Sequence, residues 1–221
     1  MSALRFTPLR IDAVFPGGNI LVDRIEGDDV YVRQDLRDTE GWWFYWALRL
    51  RGAAGRRLRF HFTNKACVGT RGPAVSLDGG VSWSWQDWDF TGDGFEFAAP
   101  ADAQEIRLAF GMVYTQVCWE RFLAGLEPSP YLRPGTLATS RKGRAVEMLQ
   151  AGRADDPRLL PVLVTVRHHA CEMMANYALE GLLQALLADL KLRELRRESG
   201  DCPQIAQISR RLSAAETSLA D

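Results

Sequence analysis

Through roughly its first 125 residues the chain sustains no 3.6-residue apolar periodicity, and short β-type runs alternate with turn residues instead. Candidate strands are Asn19–Val22, Asp29–Arg33, Trp42–Leu50, Arg57–Phe62, Phe95–Phe97 and Glu105–Phe110. In several of them polar and apolar residues alternate, as strands with one buried face require. Pro16-Gly-Gly18, Gly27-Asp-Asp29, Gly52-Ala-Ala-Gly55, Gly72-Pro73, Asp78-Gly-Gly80 and Gly92-Asp-Gly94 punctuate the runs with residues that accept positive φ or a fixed turn. Asp78-Gly79 is a hairpin signal. An antiparallel β-sandwich over residues 1–130 is the expectation.

The texture then changes. Prolines between Pro128 and Pro134, the charged Ser140-Arg-Lys-Gly-Arg144 and Gly152 read as a linker, 131–152. Leu159–Val166 is a nearly unbroken apolar run, the mark of a central strand covered on both faces, as in a parallel α/β sheet. From Ala170 to about Arg197 a helix is expected, with Ala178, Leu182, Leu183, Leu186, Leu187 and Leu190 as its apolar stripe. Ser199-Gly200 and Pro203 stop it. Residues 153–198 thus read as the first part of an α/β domain. The polar tail 199–221 carries a weak amphipathic pattern that makes a marginal or fraying helix. The fold class is mixed, a sandwich followed by an incomplete α/β domain.

With 47% hydrophobic residues in 221 the chain can build a core. Its 27 Lys and Arg against 28 Asp and Glu leave a net charge of -1, which offers no general attraction to nucleic acid or to an anionic membrane. The first residues lack an apolar signal region and no run approaches a membrane span, so a soluble, cytoplasmic protein is expected. Cys67, Cys118, Cys171 and Cys202 are scattered without a CxxC pair, which suits reduced thiols.

Only three histidines occur, His61, His168 and His169. In Arg167-His-His-Ala-Cys-Glu172 a histidine and a glutamate lie three apart, and at a strand end or first helical turn such a pair can aim one nitrogen and one carboxylate at a single cation. The plainer reading of that spacing is a polar cap on a helix start. Position favours the cation, because in open α/β sheets functional groups gather past the carboxyl ends of strands. His61 falls within an alternating strand and reads as structural. All seven tryptophans precede residue 120. They fit a sandwich core, and Trp83-Ser-Trp85 also fits a ring-stacking surface for sugars or peptides. Asp35–Glu40 and Ser140–Arg144 read as solvated charged loops. No phosphate loop, no Gly-x-Ser-x-Gly elbow and no Cys/His nucleophile pair is found.

Phe15-Pro-Gly-Gly-Asn-Ile20, Asp35-Leu-Arg-Asp-Thr-Glu-Gly-Trp-Trp-Phe-Tyr45, Gly72–Gly80, Ser140–Arg144 and Arg167–Glu172 together resemble the M14 zinc carboxypeptidases, specifically the cytosolic carboxypeptidase-like branch. The resemblance covers about 1 to 190 and implies a β-sandwich ahead of an α/β catalytic domain. It implies hydrolysis of the C-terminal peptide bond of a peptide or protein substrate, with Zn2+ as cofactor and His169 and Glu172 as the first two metal ligands. The family also uses a second histidine, a substrate-binding arginine, a tyrosine and a glutamate base, all further along. No histidine follows His169. The chain therefore reads as truncated after the first ligand motif, with no catalytic residue of its own assigned, and as inactive alone. Self-association or a complementing chain is the expected consequence of an unfinished α/β domain. The alternative is a tryptophan-rich binding module for a peptide, a glycan or a partner chain.

Overall fold

The computed structural model describes residues 8–198, except 38, 65–66, 87–89, 154–156 and 159. Its contacts divide the chain into two compact units, Met1–Glu127 with Leu163–Glu180, and Pro128–Val162 with Gly181–Asp221. The tail 199–221 and Trp88, Asp38 and Cys202 lie outside the described residues.

The first unit is built on two five-stranded sheets. One contains β1 (Arg10–Asp12), β4 (Ala47–Arg51), β6 (Ala74–Ser76), β7 (Ser84–Trp85) and β10 (Glu105–Ala109) in the order β1-β4-β10-β6-β7. The other contains β2 (Leu21–Glu26), β3 (Asp29–Arg33), β5 (Arg57–Phe62), β8 (Phe90–Thr91) and β9 (Gly94–Ala98) in the order β2-β3-β5-β9-β8. Strict alternation puts Val30, Val32, Leu58, Phe60, Phe95 and Phe97 from the second sheet into one core cluster with Leu48, Leu50, Val75, Ile106 and Leu108 from the first. Their partners along each strand, such as Arg57, Arg59, Glu96 and Arg107, form ion pairs on the outer faces. Trp46 is fully buried and donates its indole N–H to the Cys67 carbonyl at 2.9 Å, so its one polar atom is satisfied inside the core.

Two expectations about the sandwich are corrected. It is not wholly antiparallel, because β3 and β5 run parallel with Asp29 opposite Arg59 and Val32 opposite Phe62. The run Trp42–Leu50 is strand only from Ala47, since the preceding residues form a loop whose backbone is tied elsewhere. The edge strand β2 exposes all six residues and is interrupted by a bulge between Val22 and Arg24, devices that discourage pairing with another sheet edge. Its start is set by the turn Phe15–Gly18, where a Cβ on Gly18 would fall 2.1 Å from the Ala13 carbonyl oxygen. Only glycine fits there. A short helix, α1 (Gln116–Gly125), follows β10 and buries none of its residues completely, which explains why no apolar stripe announced it.

In the second unit, the stretch read as a linker carries a hairpin instead. β11 (Leu132–Thr139) pairs antiparallel with β12 (Ala145–Ala151), and the charged Ser140–Arg144 makes the turn. Ser140 N–H donates to the Arg144 carbonyl at 2.8 Å, its hydroxyl accepts from the Arg144 N–H, and Gly143 takes φ of 76°. The apolar run, by contrast, makes no strand over its described residues, Leu159 lying outside them. Leu160, Pro161 and Val162 to Val166 are irregular backbone, with Leu160 92% and Leu163 83% exposed. A strand of that composition needs a paired neighbour and cover on both faces, and none of the described residues supplies them. The expected helix is present as α2, Met174–Glu198. No helix among the described residues is long and apolar enough to cross a membrane.

Candidate metal centre

His169 and Glu172 lie in the turn that leads into α2, within the first unit. The turn is closed by the Glu172 N–H donating to the His169 carbonyl at 3.2 Å, and the Glu172 carbonyl accepts from Ala175 as the helix begins. The Glu172 carboxylate reaches back over the turn. One oxygen accepts from the His169 backbone N–H at 3.0 Å, and the other lies 2.6 Å from His169 Nδ1. These bonds to His169, the side-chain contact foremost, hold the carboxyl below its ordinary pKa, so it is charged near neutrality. Both side chains face solvent, 57% and 41% exposed.

The sandwich holds this turn in place. Met173, next to Glu172, is completely buried in a second core cluster with Tyr45, Ala47, Ala109, Val113 and Tyr114. Tyr177 donates to the Val113 carbonyl at 3.2 Å and meets Tyr114 edge-on at 5.1 Å, while the Tyr114 hydroxyl donates to Glu180 at 2.7 Å. Burial and the Glu180 carboxylate both push the Tyr114 hydroxyl's pKa up. On the other side of the turn, Arg167 adopts φ of 58°, a left-handed conformation rare for arginine, and its guanidinium donates to the Tyr114 carbonyl. The residues just past β10 therefore grip the turn at both ends.

The His168 ring makes a separate contact, its Nε2 lying 3.3 Å from the Thr165 hydroxyl. His61 is far from it in sequence and use: on the outer face of β5 it bonds Asp29 at 2.9 Å and stacks on Tyr31 at 4.7 Å. Trp83 packs on the second core cluster and Trp85 lies beneath the Arg71 guanidinium at 5.0 Å, so the two indoles serve different contacts. The residue that the sequence did not single out for this site is Trp43, whose ring centroid is 5.5 Å from that of His169. A loop-to-turn contact of this kind has no periodic signal in the chain.

In kind, an imidazole nitrogen and a carboxylate oxygen suit zinc. Held by both at tetrahedral angles, a zinc ion would set the two donors about 3.3 Å apart, so the 2.6 Å hydrogen bond has to open by roughly 0.7 Å. In number they fall short. A catalytic zinc takes three protein ligands, and no group of three His, Cys, Asp or Glu gathers among the described residues.

No protein-family model matches the chain, and no curated protein does either. Solved structures do. A metallo-carboxypeptidase from Burkholderia cenocepacia superposes with a TM-score of 0.62 at 22% identity over 80% of this chain and 48% of its own. A Shewanella denitrificans protein provisionally assigned as carboxypeptidase A gives 0.67 at 22% identity, over 79% and 48%. A Pseudomonas aeruginosa metallo-carboxypeptidase in complex with (2-guanidinoethylmercapto)succinic acid gives 0.64 at 24% identity, over 80% and 49%. The chain thus has the fold of about half of these bacterial metallo-carboxypeptidases, a β-rich mixed fold with two helices among the described residues.

Proposed function

We propose that this chain is part of an M14-type zinc carboxypeptidase of the cytosolic carboxypeptidase-like branch, acting in the cytoplasm on the C-terminal peptide bond of peptides or proteins. His169 and Glu172 would hold the metal. The observation that carries this reading is the exposed His169 Nδ1 and Glu172 carboxylate converging within 2.6 Å on a turn clamped to the sandwich, in a chain whose fold neighbours are metallo-carboxypeptidases. When bound, zinc supplies Lewis acidity toward the scissile carbonyl. The chain's own residues do something simpler: Glu172 contributes a negative charge and orients the imidazole in the metal-free turn, and Met173 and Arg167 keep the turn from unravelling.

Because the described residues offer two donors, the reading includes a chain without peptidase activity alone, completed by the remaining half of the fold from a further polypeptide segment. The succinic-acid ligand of the Pseudomonas aeruginosa protein carries carboxylates, as a peptide C-terminus does, which supports that substrate class. Equilibrium dialysis against zinc tests the proposal. Zinc uptake weaker than a three-ligand site gives is expected, lost in His169→Ala and in Glu172→Gln, with no release of C-terminal residues from peptides by the chain alone. Zinc uptake that is absent, or indifferent to both substitutions, refutes the metal site.

A further inference from the structure

We infer that Arg167 binds a carboxylate, that of a peptide chain end or of an acidic side chain, through the edge of its guanidinium that the fold leaves unused. This rests on the peptide-substrate part of the proposed function and needs no metal. Arg167 is half-buried in the turn ahead of His169, and its backbone is left-handed at φ of 58°. A non-glycine residue stays in that conformation only where its surroundings enforce it, and such residues gather at ligand sites. Nη1 donates to the Tyr114 carbonyl and so clamps the turn to the segment past β10. Among the described residues nothing else hydrogen-bonds the guanidinium, and no carboxylate pairs with it.

The groups around it are neutral. The Arg167 charge acts on the hydroxyls of Tyr45 and Tyr177 and on the Cys171 thiol. Burial, the largest influence on each, pushes both hydroxyls up to about 12 and raises the thiol, so none of the three carries a charge near neutrality. The carboxylates of the same region are engaged, Glu172 with His169 Nδ1 at 2.6 Å and Glu180 with the Tyr114 hydroxyl at 2.7 Å. Arg167 has therefore lost part of its hydration without gaining a counter-charge, a cost that an anionic ligand offsets. With Nη1 on the Tyr114 carbonyl, Nε and Nη2 form the planar pair of donors that matches two carboxylate oxygens. The Tyr45 and Tyr177 hydroxyls donate to the Gly17 and Val113 carbonyls. One positive charge and one donor pair thus suit a singly charged, planar carboxylate better than a phosphate dianion.

The test titrates the whole chain, stripped of metal, with acetyl-Ala-Ala, with the C-terminal amide of that peptide, and with acetyl-Glu amide. Arginine Nε–Hε resonances are followed by NMR, that of Arg167 assigned by its loss in Arg167→Lys. Acetyl-Ala-Ala, acetyl-Glu amide or both should shift it at roughly millimolar concentration, and the Ala-Ala amide should not. The tighter of the two acids identifies the source of the carboxylate as a chain end or an acidic side chain. In the variants, binding is read from the backbone amides of Tyr114 and Cys171, and the His61 resonances, set by Asp29 and Tyr31, report whether the sandwich is intact. Arg167→Gln removes the charge and should weaken binding about ten- to a hundredfold. Arg167→Lys keeps the charge without the fork and should fall between, and it decides with the amide control if Arg167→Gln does not fold. Equal binding of the Ala-Ala amide, either variant binding as tightly as the wild type, or no shift of the Arg167 resonance by either acid overturns the assignment. With no metal in the sample, that result leaves the zinc site to its own dialysis test, and failure of the dialysis test leaves carboxylate binding untouched.

Discussion

Met173→Ala probes how the sandwich holds the ligand turn. Met173 has no exposed surface, and its methyl end lies against Gly111 just past β10, 3.8 Å from where a Cβ there would sit. Truncation to alanine removes the thioether and its methyl group from a filled site, and buried Met to Ala changes cost about 2–5 kcal/mol. Neighbours such as Cys171, Trp119 and Tyr177 are half-buried and can partly close the gap, which places the cost at about 2–3 kcal/mol. The cluster is separate from the main sandwich core, so the loss should fall on local opening of the turn and the start of α2. At 1.4 kcal/mol per tenfold, native-state hydrogen exchange of Glu172, Ala175 and Asn176 should quicken by roughly 30- to 150-fold. Amides of β5 and β10 should exchange as before. Unchanged protection in the turn, or an equal acceleration throughout the sandwich strands, refutes the clamp.

Further expectations follow from other residues. Gln34→Ala leaves the Trp43 carbonyl without its donor, and the unfolding free energy should fall by about 1–3 kcal/mol in denaturant titration; no change contradicts the role of that buried amide. Burial pushes the Cys67 thiol up to about 12, so a thiol reagent should label it only in denatured protein, and rapid native labelling speaks against that environment. Burial raises the Asp78 carboxyl, but hydrogen bonds from Ser82, Ser76 and Val81 outweigh it and bring the group down to about 2, below its ordinary 3.8. A depressed carboxylate stabilises the fold above 3.8 and loses that contribution as pH falls toward 2. Carbon-detected titration of Asp78 should therefore show a midpoint near 2, and a midpoint at or above 3.8 contradicts the network.

Sequence alone revealed what depends on a repeating local environment. Arg57–Phe62 and Asp29–Arg33 match β5 and β3 because each alternates between one buried core and one wet face. Leu159–Val166 misled for the opposite reason: its apolar content signals a covered strand, yet strand formation depends on neighbours that the run does not itself contain. Ser140–Arg144 read as a solvated loop and is one, but as the turn of a hairpin whose strands carry few buried residues and so little alternation. The His169–Glu172 pairing was legible because both partners lie in one turn. Its supports were not, since Trp43, Tyr114 and Val113 reach it from distant parts of the chain.

Zinc K-edge X-ray absorption on the chain loaded with less than one equivalent of metal measures the central claim, that His169 and Glu172 form part of a metal centre. A first shell of nitrogen and oxygen at about 2.0–2.2 Å with imidazole scattering is expected, and that scattering should vanish in His169→Ala. A sulfur shell at about 2.3 Å, or a spectrum that His169→Ala leaves unchanged, contradicts it.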